Sequence, residues 1–312
     1  MSAPHEVTVA AVQVTPVLLD RDATLDCVVN WIAKAAAAGA QLVVLPEAIV
    51  PGYPDWIWRS NPWSEPAWYE RLHDQAVVVP GPATEVIGAA AREAGVWVAV
   101  GVTERVASGT LYNSLLYFDP SGAVAGRHRK LMPTGAERTV WGQGGGGPFP
   151  VVEVGEARVG GLLCWENLMP LARAALYRQG VDVYVAPTWD NSPSWVSTLR
   201  HIAREGRCFV GGTNTCLRGS EVPRTLPDAD RLYPPSNDDD WPSRGNTVIV
   251  GPDGEVIDGP LTETDGMLVA TLDLRALTTA RRHFDVVGHY ARDDVFELTV
   301  RGRQDPVLPA GI

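Results

Sequence analysis

The chain has 312 residues, 45% hydrophobic and 20% charged, so it can bury about 75% of its unfolded surface, and disorder is excluded as its main state. The net charge of −11 opposes generic binding to nucleic acid or anionic membrane, no apolar run reaches the roughly 18 residues of a membrane span, and residues 1–6 lack the basic and apolar regions of a signal peptide. These features read as a cytoplasmic globular protein, and four cysteines (Cys27, Cys164, Cys208, Cys216) without a C-x-x-C pair read as reduced thiols.

Residues 7–14 are apolar and Val-rich, Leu25, Val28, Ile32 and Ala35 follow at helical spacing, and 41–45 is apolar again, which predicts strand, helix and strand. Val86, Ala90 and Ala94 share one face of a predicted helix over 83–94, stopped by Gly95 and followed by a strand over 96–102. The turn Asp119-Pro120-Ser121-Gly122 joins predicted strands over 113–118 and 123–129. Strands over 151–154 and 158–163 end at Cys164. A helix over 171–179 stops at Gly180, and a strand over 182–186 leads to Ser192-Pro193, N-cap and first-turn proline of a helix reaching 207. After a strand over 210–214, residues 217–244 are rich in Pro, Asp and Ser with little periodicity, which predicts a long surface excursion of the kind that forms lids or contact surfaces. A hairpin around Pro252-Asp253-Gly254, a strand over 267–272 and a tail without a core pattern close the chain. With neither an internal repeat nor a linker between two cores, the order predicts one α/β domain over 1–280 built on mixed sheets, and a tail over 281–312 that forms an interface.

Three segments carry chemistry. In Gly160-Gly161-Leu162-Leu163-Cys164-Trp165-Glu166-Asn167 a cysteine ends an apolar strand just before a helix, where a rigid sheet holds a side chain toward a crevice and a helix N-terminus favours thiolate over thiol. That describes a nucleophile, although a lone cysteine without context is more often a buried structural thiol. In Leu42-Val43-Val44-Leu45-Pro46-Glu47 a carboxylate follows a buried strand, and burial should raise its pKa into the range of a general base. Glu47 can otherwise pair with backbone amides. In Arg127-His128-Arg129-Lys130-Leu131-Met132-Pro133 the charge run reads as a solvated edge, with Lys130 the member that points inward.

Together with Ala48, Thr134, Glu137-Arg138 and Trp141-Gly142-Gln143-Gly144, and with Leu168-Met169-Pro170 after Asn167, these segments resemble the nitrilase superfamily in order and spacing. Cys-Trp-Glu-Asn, Pro51-Gly52-Tyr53-Pro54, Arg200-His201-Ile202-Ala203 with Glu205-Gly206-Arg207, and Gly288-His289-Tyr290 resemble its nitrilase branch. The resemblance implies an αββα sandwich of two mixed sheets flanked by helices, paired into homodimers or larger homo-oligomers. It implies Cys164 as nucleophile, Glu47 as general base, Lys130 as the stabilising cation and Glu137 as a second carboxylate. Tyr53, Trp165, Glu166 and Trp189 are the substrate-contacting residues it implies. The implied reaction converts a nitrile to a carboxylic acid and ammonia through a thioimidate and an acyl thioester. The same site on an amidase or a nitrile-hydrating relative is the alternative, and an inactive scaffold on the same fold is a further one.

Two positions depart from the family. Gly145-Gly146-Gly147 stands where an acidic residue is usual after Trp-Gly-Gln-Gly, and Leu168 where many relatives carry an aromatic, which bears on substrate preference. The run 142–147 satisfies G-x-G-x-x-G, yet no strand leads into it, so it reads as a flexible loop near the site rather than a dinucleotide cradle. Trp56, Trp58, Trp63 and Trp68 either pack under a loop or wall an apolar substrate. The six histidines are scattered, and His289 with Asp293 and Asp294 reads as a surface cluster, so neither metal nor cofactor is expected.

Overall fold

In the computed structural model, which describes residues 5–237 and 239–302, strand β1 (Glu6–Gln13) buries both its faces. Val7, Val9 and Ala11 face one core and Ala10 and Val12 another, the period-two alternation of a strand with no solvated side. This is why its sequence is continuously apolar. β2 (Leu42–Val44), β3 (Trp97–Arg105), β4 (Leu111–Phe118) and β5 (Val124–Arg129) belong to the same sheet. A second sheet holds β6 (Val151–Val154), β7 (Ala157–Gly161), β8 (Val183–Val185), β9 (Phe209–Gly212), β10 (Cys216–Leu217), β11 (Ser243–Val250) and β12 (Val256–Thr262). The chain then returns to the first sheet as β13 (Gly266–Asp273).

The first sheet runs β13-β1-β2-β3-β4-β5, with β1, β2 and β3 parallel and the outer pairs antiparallel. The second runs β10-β11-β9-β8-β7-β6, with β7, β8 and β9 parallel and β12 paired to β11. Helices α1 (Arg21–Ala37), α2 (Pro66–Gln75), α3 (Pro82–Ala94), α4 (Pro170–Tyr177), α5 (Pro193–Gly206), α6 (Ala229–Leu232) and α7 (Arg275–His283) complete the fold. Val28, Ile32, Ile87 and Ala91 of α1 and α3 pack on the outer face of the first sheet, and Ala172, Leu176, Leu199 and Ile202 of α4 and α5 on that of the second. Leu42, Leu115, Val159 and Val183 meet between the sheets. The result is the αββα sandwich that the motifs implied. Among the described residues no helix is long and apolar enough to cross a membrane.

Three segments differ from the sequence reading. The excursion over 217–244 is not purely a surface loop, because Val222, Leu226, Leu232 and Tyr233 are buried in an aromatic cluster with Trp56 and Trp68. Trp68 also donates its indole N–H to the Pro227 carbonyl at 2.7 Å, and Arg59 forks onto Asp240 at 2.8 and 2.9 Å. Trp56 and Trp68 therefore pack beneath this segment, whereas Trp63 is exposed. Helices α2 and α7 lack a wide apolar stripe, burying only Trp68 and Leu72 and only Leu277. Such helices are held by docking rather than by periodicity. In the tail, Arg281 donates to the Val181 carbonyl at 3.0 Å and to Asp182 at 2.9 Å, and His289 lies 3.0 Å from the Arg281 carbonyl. Asp293 and Asp294 accept from Arg178 and Arg292. The last part of the tail expected to form an interface, 303–312, lies outside the described residues.

Gly161 is the tightest point of the second sheet. It pairs with Val185 of β8, and a Cβ there would sit 1.8 Å from the Val185 carbonyl oxygen. Gly161→Ala should destabilise the protein by about 1–3 kcal/mol, the range for overpacking. A lowered thermal or urea midpoint checks this, and an unchanged midpoint would show that β7 and β8 can part freely.

Candidate active site

Four side chains converge, three from the ends of strands of the two sheets and one from a single helical turn. Glu47 lies just beyond β2, Lys130 directly follows β5, Cys164 lies just beyond β7, and Glu137 sits on the single turn Gly135–Thr139. This is where α/β sheets present side chains to a crevice. The Lys130 ammonium donates to Glu47 Oε1 and Glu137 Oε2, each at 2.8 Å, and all three residues are buried. Asn113 Nδ2 also donates to Glu47 Oε1, at 2.7 Å. The Tyr53 hydroxyl donates to Glu137 Oε1 at 2.7 Å, and the Thr134 N–H to Glu137 Oε2 at 2.6 Å. Both Glu137 oxygens are thus engaged. Glu47 Oε2, buried and without a partner among the described residues, is the acceptor left open.

These contacts set the protonation states. Burial raises the Glu47 pKa against the pull of Lys130, with the Glu137 charge adding to the rise. Burial alone would lower Lys130, but the charges of Glu47, Cys164 and Glu137 hold it well above the usual lysine range. The Cys164 thiol is pushed up to about 12, by burial first and then by the Glu47 charge, with Lys130 opposing. The expectation of a helix end that favours thiolate is therefore corrected. The single turn Cys164–Leu168 does not outweigh desolvation, and at rest the group is a thiol.

Cys164 has φ of 49°, the left-handed region that costs a side-chain-bearing residue about 1–2 kcal/mol. Its surroundings fix that geometry. The Cys164 N–H donates to the Pro187 carbonyl at 2.8 Å, and Asn167 Nδ2 donates to the carbonyls of Cys164 and Leu162 at 2.8 and 3.1 Å. The Tyr184 hydroxyl orients Asn167 through Oδ1 at 2.8 Å, and the Thr188 hydroxyl donates to Cys164 Sγ at 3.2 Å. On the lysine side, the Gly144 N–H donates to the Lys130 carbonyl at 2.8 Å. A Cβ on Gly144 would lie 2.2 Å from the Arg129 carbonyl oxygen, so this stretch of the glycine run is laid against the Lys130 backbone.

Tyr53 stacks on Trp189 with ring centroids 4.3 Å apart and meets Trp141 edge-on at 5.5 Å. Trp58 donates its indole N–H to the Tyr53 hydroxyl at 3.1 Å. Trp165 is half-exposed, with its indole N–H on Asp190 at 2.9 Å. Glu166, expected to touch substrate, has its buried oxygens engaged within the protein: they accept the N–H groups of Leu131 at 2.6 Å and Leu163 at 2.9 Å, and both face His128 Nε2. Its carboxylate is consumed by the protein's own donors. The basic run before Lys130 is likewise no solvated edge, because Arg127 and Arg129 pair with buried Glu104.

The sequence reading missed Asn113 and Thr188 and gave Asn167 no role. Asn113 carried a signal, a polar amide inside a buried and mostly apolar strand, and Thr188 stands just beyond β8 as Cys164 stands beyond β7. The model of the carbon-nitrogen hydrolase family matches residues 8–282.

The chain belongs to the carbon-nitrogen hydrolase family.

It is 43% identical over 297 residues to an aliphatic nitrilase of Sinorhizobium fredii (strain HH103), covering 93% of this chain and 94% of that relative. It is 39% identical over 312 residues to a bifunctional nitrilase/nitrile hydratase of Nicotiana tabacum, covering 96% of this chain and 87% of that one. Its fold is similar to the carbon-nitrogen hydrolase of Helicobacter pylori G27, with a TM-score of 0.71 at 18% identity over 94% of this chain and 97% of that one.

A neutral resting thiol in this hydrolase has a spectroscopic consequence. Near pH 8 the wild type and Cys164→Ala should show no thiolate-sized difference in absorbance near 240 nm, since a group that titrates at about 12 is protonated there. A thiolate band lost in the variant would contradict the neutral resting state.

Proposed function

We propose that this hydrolase converts nitriles to carboxylic acids and ammonia, with Cys164 as nucleophile, Glu47 as general base and acid, Lys130 as the cation that meets the developing charge, and Glu137 as the carboxylate that holds Lys130. The observation that carries the choice of nitriles is the 43% identity to an aliphatic nitrilase along 93% of the chain. The geometry supports the roles. Only Glu47 retains an open oxygen, so it is the carboxylate able to accept a proton, whereas both Glu137 oxygens are engaged. Two Lys130 donors are bound by carboxylates, and an ammonium has three, so one remains for substrate nitrogen.

The steps then balance. Glu47 takes the thiol proton as sulfur bonds to the nitrile carbon, one C–N π bond opens onto nitrogen, and nitrogen receives the proton, giving the thioimidate. Lys130 offsets the charge that gathers on nitrogen in a water-poor pocket. Glu47 next takes a proton from a water as its oxygen bonds to the carbon and passes that proton to nitrogen, giving a tetrahedral carbon that bears OH, NH₂ and sulfur; it then carries the hydroxyl proton to nitrogen, the C–N bond breaks, and ammonia leaves as the acyl thioester forms. A second water, activated in the same way, cleaves the C–S bond, releases the acid and restores the thiol. Tyr53, Trp189 and Trp165 supply the aromatic surface against which the substrate chain rests.

The relation to a bifunctional nitrilase/nitrile hydratase favours a second reading in which some amide is released. After the first water adds, expulsion of sulfur instead of nitrogen gives the amide. We further propose that the chain works in the cytoplasm as a homo-oligomer. Four unpaired cysteines support the first, and exposed Leu171, Tyr290 and Phe296 support the second.

Cys164→Ala should abolish ammonia release from aliphatic, aromatic and arylacetonitrile substrates while leaving the circular dichroism spectrum unchanged. Glu47→Gln, Lys130→Ala and Glu137→Gln should each lower turnover by at least about 10²-fold, the lower end for one acid–base or electrostatic group. These losses should not add, because the groups act on one event. Near-normal turnover in any of them removes that residue from the mechanism, and faster ammonia release from the matching amides would replace the nitrilase reading with an amidase.

A further inference from the structure

Glu166 and His128 stand outside the mechanism above, yet each lies two residues from a group inside it. His128 lies on β5 two residues before Lys130, which directly follows the strand, and the two-residue period points both side chains to one side while Arg127 and Arg129 turn to Glu104 on the other. Glu166 follows Cys164 in the turn Cys164–Leu168. Between them the two side chains close a bridge from one sheet to the other. Glu166 Oε1 takes the Leu131 N–H, which adjoins Lys130, at 2.6 Å, and Oε2 takes the Leu163 N–H, which adjoins Cys164, at 2.9 Å. His128 Nε2 sits 3.1 and 3.0 Å from the two oxygens.

With each oxygen already accepting a backbone N–H, Nε2 stands where it can donate to both. Both residues are buried, and Phe149 meets the imidazole edge-on at 5.4 Å, so the bridge is shielded from water and its bonds are correspondingly strong. The one carboxylate offers an oxygen to each of the two amides.

We infer that Glu166 and His128 are a positioning pair that sets the separation and alignment of the Lys130 ammonium and the Cys164 sulfur. The inference rests on the reading of Lys130 and Cys164 as reacting groups, but concerns residues whose hydrogen bonds go to each other and to the backbone N–H groups that adjoin those two. Glu166→Gln is the sharpest probe. It keeps the shape and one carbonyl oxygen, but whichever way the amide turns, its NH₂ faces one of the two backbone N–H donors, and that end of the bridge must open.

The experiment measures kcat and KM for ammonia release in Glu166→Gln, His128→Gln and His128→Leu, each well below its own unfolding midpoint, together with the rate at which iodoacetamide labels Cys164 and Cys208. A misalignment near 1 Å costs on the order of 10²-fold in rate. Glu166→Gln and His128→Leu should therefore lose at least about tenfold in kcat with KM within about threefold, and label Cys164 more slowly by a similar factor. His128→Gln, whose amide N–H can stand in for Nε2–H, should recover most of the loss. Buried Cys208 reports the alternative, since a merely loosened fold would speed its labelling and leave His128→Gln no better than His128→Leu. Wild-type kcat in folded Glu166→Gln, or faster Cys208 labelling accompanying every loss, overturns the inference. If the wild type released no ammonia from any nitrile, the functional reading would fall, and the Cys164 labelling rates would still judge the pair.

Discussion

The Lys130 ammonium is buried between two carboxylates, and most of the site follows from keeping it there. A lone buried ammonium carries a desolvation penalty of several kcal/mol, which only close, well-oriented partners can offset. Glu47 and Glu137 at 2.8 Å supply them. Two carboxylates around one ammonium leave an excess of negative charge in a dry place, and the molecule distributes it unequally. Glu137 is stabilised by a hydroxyl and a backbone N–H, whereas Glu47 keeps an open oxygen and a raised pKa. Burial first, and then that same charge, keep Cys164 a thiol. Passing its proton to Glu47 moves one negative charge from carboxylate to sulfur without changing the total, so the step needs no counterion from solvent.

That arrangement demands a frame of the right shape. Glu47 and Lys130 come from one sheet, Cys164 from the other, and the layer between them is closed by Leu42, Leu115, Val159 and Val183. Gly161 allows β7 and β8 to approach until Cys164 leaves the sheet in a left-handed turn, and Asn167, anchored by Tyr184, holds it. The aromatic cluster of Tyr53, Trp141 and Trp189 adjoins the excursion over 217–244, so the segment that sequence alone marks as loop braces the wall around Glu137.

How much of this was legible in the sequence varies with the physics of each element. Strands buried on both faces announce themselves as apolar runs, and α1, α3, α4 and α5 carry apolar spacing and start or stop signals. α2 and α7 do not, since each is held by one or two buried side chains. Glu47 and Cys164 were visible as reactive types at strand ends, Lys130 as the inward-pointing member of a charge run, and Glu137 through family resemblance. Asn113 and Thr188 were not singled out because their partners, Glu47 and Cys164, are 66 and 24 residues away in sequence. For Glu166, two residues after the cysteine, the sequence suggested contact with substrate but not its hydrogen-bond partners, because one of the backbone amides that engage it, that of Leu131, lies 35 residues away.

The central claim, that Cys164 becomes a covalent carrier only through proton transfer to Glu47, is tested most directly by quenching turnover in acid and weighing the Cys164 peptide. The wild type should carry the acyl group of the nitrile on that peptide during the steady state, and Glu47→Gln should accumulate it at least about 10²-fold more slowly. An adduct on another residue, or one that forms on Cys164 as fast in Glu47→Gln as in the wild type, would contradict the account.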